Sequence, residues 1–202
     1  ISENKFSRCS NGVSISSAAG MLIENNEFEV SYTTIAPGGQ VTIDRASNCK
    51  VSSNEFFASA ELNDNNYSPI NLNNSSAISL VYTEGVSIVG NDIESFEAGI
   101  ELVYNNEADI IENVIKNTWH YGIYSENIRS TNISCNDITM ETSSGINSTG
   151  IGMIYSVFTN LSQWEFNTVR SNCVKEANHA IAVVGQGMGI GSTAPLIRNN
   201  FL

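Results

Sequence analysis

Two histidines make up the whole imidazole complement of this chain, and both stand in one local setting. His120 lies two residues before Gly122-Ile123, and His179 lies directly before Ala180-Ile181. Glu97 lies two residues before Gly99-Ile100, so Glu97 and His120 hold the same place in successive copies of one pattern. Tyr121 and His179 share the next place, with Thr149 of the intervening copy between them. A carboxylate beside a histidine orients the imidazole and favours its protonated form, which suits general acid–base work. Tyrosine with histidine can remove a proton beside a uronic-acid carboxylate, and a carboxylate pair across a glycosidic bond can hydrolyse it. Glu97, His120, Tyr121 and His179 are therefore the candidate catalytic residues. Trp119, next in sequence, and Tyr67 and Trp164, in longer connections, are candidate surfaces for a sugar to stack on. The competing reading is a wet edge of polar residues ending each turn of a repeat.

The elements that position these residues come from that repeat. The setting apolar-x-x-Asn-x-apolar recurs eight times, at Asn4, Asn26, Asn54, Asn91, Asn113, Asn136, Asn172 and Asn199. A second landmark precedes the later asparagines: a small or polar residue, then alternating apolar positions. It reads Gly12-Val13-x-Ile15, Gln40-Val41-x-Ile43, Ala77-Ile78-x-Leu80, Gly99-Ile100-x-Leu102 and Gly122-Ile123-x-Ser125. Fourteen residues separate landmark from asparagine in all five, and the arcs from Gly150 and Ala180 are longer. Alternation of this kind means short strands with one face inward, and Ile, Val, Leu and Phe suit a buried pleated surface. Rungs of about 22 residues with three short strands predict an all-β fold, a right-handed parallel β-helix. This single-stranded solenoid has about seven to eight rungs, and like residues stack at about 4.8 Å. The eight asparagines then form a ladder, each amide donating to the next rung and satisfying backbone groups of the turn.

These rungs resemble the parallel β-helix repeats of the pectate-lyase-like superfamily, including its carbohydrate-binding and sugar-hydrolase modules, across nearly the whole chain. Polysaccharide is the expected partner; the resemblance implies the fold and is unspecific for function. It does not choose an activity, because that superfamily spans lyases, hydrolases, epimerases, phage tailspikes and non-catalytic surface proteins. Asp64, Asp92, Asp109 and Asp137 do not form the paired and single aspartates of pectin-type hydrolases. The arginine and calcium-binding aspartates of pectate lyases have no identifiable counterpart. Of the alginate-epimerase signature Tyr-Gly-x-Asp-Pro-His, only Tyr121-Gly122 is present. The favoured reading is a secreted or cell-surface β-helix segment that binds polysaccharide or serves as an adhesin or stalk. The alternative is a fragment of a carbohydrate-active enzyme, a polysaccharide lyase ahead of a glycoside hydrolase.

Composition sets the outer bounds. A 202-residue chain with 41% hydrophobic content can bury one continuous core, which predicts a single β-helix domain over residues 1–202. The sequence begins and stops inside a rung, and solenoid ends need covering. The expectation is a segment of a longer chain, or a capping partner at both ends. A net charge of −12 argues against nucleic acid and anionic membranes, and no apolar run has membrane length. No cofactor is identified; Ca²⁺ bridging carboxylates to an acidic sugar is permitted, although no aspartate-rich calcium motif or other metal motif is evident. Four cysteines do not make a disulfide scaffold at this length. Cys49 is read as a buried thiol, and Cys135 and Cys173 as two buried thiols or a bridge. Function on a solenoid sits on its insertions, here within 26–40, 54–77 and 136–150 and after Gly150 and Ala180.

Overall fold

A computed structural model of the chain describes residues 1–9, 11–31, 38–59, 75–141, 147–155, 167–185 and 195–201. Among these residues the chain forms three parallel sheets of seven strands each, and every third strand joins the same sheet. One sheet holds strands such as Glu27–Ser31, Asp92–Glu94 and Val114–Thr118. A second holds Gly38–Asp44, Ser75–Val81, Ala98–Val103, Tyr121–Glu126, Thr149–Tyr155 and His179–Gly185 among its members. The third is built from three-residue strands such as Leu22–Glu24 and Asp109–Ile111, which lie inside the fourteen-residue arc. A chain that visits three sheets in turn and pairs only with the coils before and after it is a parallel β-helix, here of the right-handed type. No helix of the described residues is long and apolar enough to cross a membrane.

The landmark sets the register of the second sheet. Val13 pairs with Val41, Val41 with Ile78, Ile78 with Ile100, Ile100 with Ile123, Ile123 with Ile151, and Ile151 with Ile181. These columns are the core: Val41, Ile78, Ile100, Ile123 and Ile151 are all 0% exposed. On the first sheet the rings of Phe6, Phe28 and Phe56 stack at 4.7 and 4.6 Å, nearly parallel. Where the landmark is glycine, it is small for a steric reason. A Cβ on Gly99 would stand 2.7 Å from both the Ile115 side chain and the Gly122 carbonyl.

The asparagine ladder sits at one corner of every rung. Buried Asn113 shows its logic. Its Nδ2 donates to Ile88 O, Ile111 O and Asn136 Oδ1 at 3.0, 3.2 and 3.0 Å. Its Oδ1 accepts from the backbone N and the Nδ2 of Asn91, both at 3.0 Å. The residue before each ladder asparagine takes a left-handed conformation: Asn25, Ser53, Gly90, Glu112, Cys135 and Ser171 have φ of 53–64°. That corner turns the next side chain inward, and the ladder bonds offset the cost of about 1 kcal/mol for a non-glycine residue there.

The structure moves the last ladder position from Asn199 to Asn200. Asn172 donates to Asn200 Oδ1 at 3.0 Å, and Asn199 takes the left-handed corner with φ 55°. The reason is register: Ile197, not Leu196, pairs with the buried Val169. The frames Leu196…Phe201 and Ile197…Leu202 are equally apolar in sequence, and the pairing of Ile197 with Val169 selects the second. Beside the main ladder, buried Asn105 and Asn167 accept from Thr83 N and Thr131 N at another corner. Cys9, Cys49, Cys135 and Cys173 are all free thiols. Cys49 is buried as expected, but Cys135 is exposed, because it occupies a left-handed corner, and Cys173 is half-buried. Most of the longer connections, with Tyr67 and Trp164, lie outside the described residues.

Candidate functional site

The outer face of the second sheet brings the candidate residues together. Ala98 pairs with Tyr121, Tyr121 with Thr149, and Thr149 with His179. Glu97 and His120 stack one position earlier, where His120 N donates to Glu97 O at 3.1 Å. The imidazole Nδ1 lies 3.6 Å from Glu97 Oε1, an ion pair when the ring is protonated. His120 is at the lip, with its side chain 44% exposed, and Glu97 is deeper at 22%.

A cavity of about 300 Å³ opens beside this pair, lined by Glu97, Glu101, His120, Tyr121 and Tyr124, with Ser76, Ala98 and Ile154 completing it. Glu101 and Tyr124 pair across adjacent strands. They are the outward x of Gly99-Ile100-x-Leu102 and Gly122-Ile123-x-Ser125. The signal for both was already in the landmark: alternation that sends the apolar residues inward sends x outward, over the same face as Tyr121.

The aromatic groups are held by contacts on several sides. The Tyr121 ring lies 4.4 Å from His120 and 5.0 Å from Tyr124, tilted to both. It also lies over Gly152 of the next rung, where a Cβ would stand 2.8 Å from Tyr121 Cε1. The Tyr124 hydroxyl donates to Glu126 Oε2 at 3.0 Å. Burial, then the Glu126 charge, pushes the Tyr124 hydroxyl above the usual tyrosine range, so it stays a donor. Burial also pushes the Glu101 carboxyl up, with the Glu97 and Glu126 charges adding to the effect. The Ser79 hydroxyl, donating to Glu101 Oε2 at 3.1 Å, works against that shift. The buried Ser76 hydroxyl lies near enough to favour the ionised carboxylate, yet it reaches no hydrogen-bond geometry among the described residues.

Other expected site residues fall elsewhere. Trp119 is only 6% exposed, which removes it as a stacking surface. The left-handed corner at Asn117 is followed by two buried residues, Thr118 and Trp119, and the indole is covered although it stands apart from the hydrophobic core cluster. His179 shares the Tyr121 column two rungs along and is exposed, but it does not line the cavity. Tyr67 and Trp164 lie outside the described residues. Among the described residues no three of His, Cys, Asp and Glu come together in a way that could hold a metal ion.

Three parallel sheets wound into one solenoid, with a polar and aromatic groove on an outer face, define a protein of the right-handed β-helix class. A family model described as periplasmic copper-binding protein (NosD) matches residues 33–202, and the chain belongs to the NosD family. No curated protein matches it.

Proposed function

We propose that the protein acts outside the cytoplasm as a glycan-binding β-helix, with the groove of the second sheet as its binding site. The observation that carries this reading is the Tyr121 ring, spread over Gly152 between His120 and Tyr124 in a cavity rimmed by Glu97 and Glu101. Sugars present C–H faces that pack on aromatic rings and hydroxyls that need fixed acceptors and donors, and the groove offers both. The buried Ser76 hydroxyl is one more such group. The described lining holds two carboxylates and no Lys or Arg, so a neutral or amino sugar suits it better than a uronate polymer. A Ca²⁺ bridge is not needed for such a ligand. The family's description as periplasmic supports a place in the cell envelope or beyond.

The copper of that description finds no donor set among the described residues. The two histidines stand two rungs apart, no three of the described histidines, thiols and carboxylates come together, and the Met140 and Met153 side chains are 1% exposed. No step through copper is therefore assigned to this site.

One observation favours a second reading, glycoside hydrolysis. Glu97 and Glu101 line the same cavity, as a carboxylate pair for glycosidic cleavage would, and burial pushes the Glu101 carboxyl up, the direction a general acid requires. Lyase chemistry fits less well, because a cation beside the uronate carboxylate has no counterpart in the described lining.

Calorimetric titration with neutral, amino-bearing and uronate oligosaccharides tests the proposal. Binding of a neutral or amino-bearing sugar is expected, weakened about tenfold or more by Tyr121→Ala, equivalent to about 1.4 kcal/mol. Binding of uronate alone, or binding unchanged by that substitution, contradicts it. Reducing ends released from a bound glycan would identify the hydrolase reading.

A further inference from the structure

We infer that the glycan site continues past the groove, along the outer face of the second sheet, to the stacked tyrosines Tyr104 and Tyr82, and so takes a neutral oligosaccharide chain rather than a single sugar. This rests on the reading of the groove as a glycan site.

The Tyr82 and Tyr104 rings lie 5.0 Å apart and 5° from parallel. They are 51% and 39% exposed, so core burial does not account for them. Both sit at left-handed corners, with φ of 53° and 57°, where the same column elsewhere holds Ser17, Arg45 and Asn127. A bulky aromatic is costly in that conformation, and here it recovers none of the cost by entering the core. The Arg45 guanidinium lies over Tyr82 at 5.6 Å and closes one end of the stack. The Tyr104 face on the side of the Asn127 rung remains, and there a second cavity of about 340 Å³ is lined by Tyr82, Tyr104, Asn105, Asn106, Asn127 and Arg129.

One carboxylate bridges the linings of the two cavities. The Glu126 carboxylate accepts from the Tyr124 hydroxyl of the groove at 3.0 Å and from the Asn127 amide of the second cavity at 3.3 Å. Tyr124 pairs with Glu101, and Tyr104 lies three residues further along that strand direction, about 10 Å at strand rise. Tyr121, Tyr124, Tyr104 and Tyr82 therefore trace an aromatic path across the face, with amides and Glu126 between them to meet hydroxyls. Glu97 and Glu101 line the groove, Glu126 stands between the cavities, and Arg129 lines the second, a mixed arrangement complementary to neither a polyanion nor a polycation.

Calorimetry with neutral gluco-oligosaccharides, from the disaccharide to the hexasaccharide, tests the track on the whole chain. Affinity is expected to rise about tenfold or more with length. Tyr104→Asn, which copies the residue at the next corner of the column and tolerates its backbone, should abolish that gain and leave disaccharide binding intact. Tyr121→Ala should weaken every length. Length-independent binding, or a hexasaccharide affinity untouched by Tyr104→Asn, overturns the track while leaving the groove in place. Absence of binding at every length overturns both.

Discussion

Adjacent residues of one type do different work in this protein, and the sharpest case is Asn199 beside Asn200. Asn200 accepts the ladder bond from Asn172, whereas Asn199 supplies a left-handed corner. Asn199→Gly should be neutral or slightly stabilising, because glycine adopts that conformation freely. Asn113→Ala, in the middle of the ladder, strands buried donors and acceptors on both neighbouring rungs. It should cost about 3 kcal/mol or more in urea denaturation, since each orphaned buried group costs about 1–3 kcal/mol. Glu101 gives a pH test. Burial raises its folded-state pKa above the unfolded value, so its favourable contribution is complete below the unfolded value and is lost as pH rises through the folded one. Glu101→Gln should therefore raise the melting temperature at neutral pH, with the gain disappearing in acid. Eight ladder places were legible in the sequence, and seven were read in frame. The eighth was not, because two equally apolar frames surround Asn199-Asn200 and only the pairing of Ile197 with Val169 separates them.

The elements show where periodicity informs and where it stops. The phenylalanine column of the first sheet is a run of stacked rings, two of them 0–1% exposed, and Phe28→Ala should cost about 3–5 kcal/mol in the same denaturation measurement. On the second sheet the strand Thr149–Tyr155 brings Gly152 beneath the Tyr121 ring. Gly152→Ala should displace that ring and weaken sugar binding, while overpacking costs about 1–3 kcal/mol of stability. The strand pattern was legible because alternation is enforced by a buried face, and it placed Glu97, His120 and Tyr121 in neighbouring registers, which the structure reproduces. Trp119 was misplaced because it lies just after the left-handed Asn117, where Thr118 and Trp119 are buried in succession and a period of two gives no guide. Glu101 and Tyr124 were overlooked although the same alternation sends them outward.

For the whole molecule, in-register stacking couples charge to stability. Glu27 pairs with Glu55, and Glu55 with Asp92, so a column of carboxylates runs up the outer face of the first sheet in a chain of net charge −12. Lys5, Lys116 and Lys175 reach the acids of neighbouring rungs, but all three pairs are exposed and each is worth little. Repulsion therefore dominates at low salt. Raising ionic strength from about 0.01 M to about 0.15 M shortens the screening length from about 30 to about 8 Å and should raise the melting temperature. A fall in melting temperature over that range would show that the inter-rung pairs outweigh the column. The fold was legible at this scale because a solenoid repeats one instruction, and the ligand was not, because the groove is written once, in residues that stacking leaves free to vary.

The most direct test of the central claim, that the outer-face groove is a sugar site, is chemical-shift mapping by NMR during titration with a neutral oligosaccharide. The account predicts saturable shifts centred on Glu97, Glu101, His120, Tyr121 and Tyr124, and their loss in Tyr121→Ala. Shifts confined to another face, or none at saturating sugar while the β-helix spectrum stays intact, would contradict it.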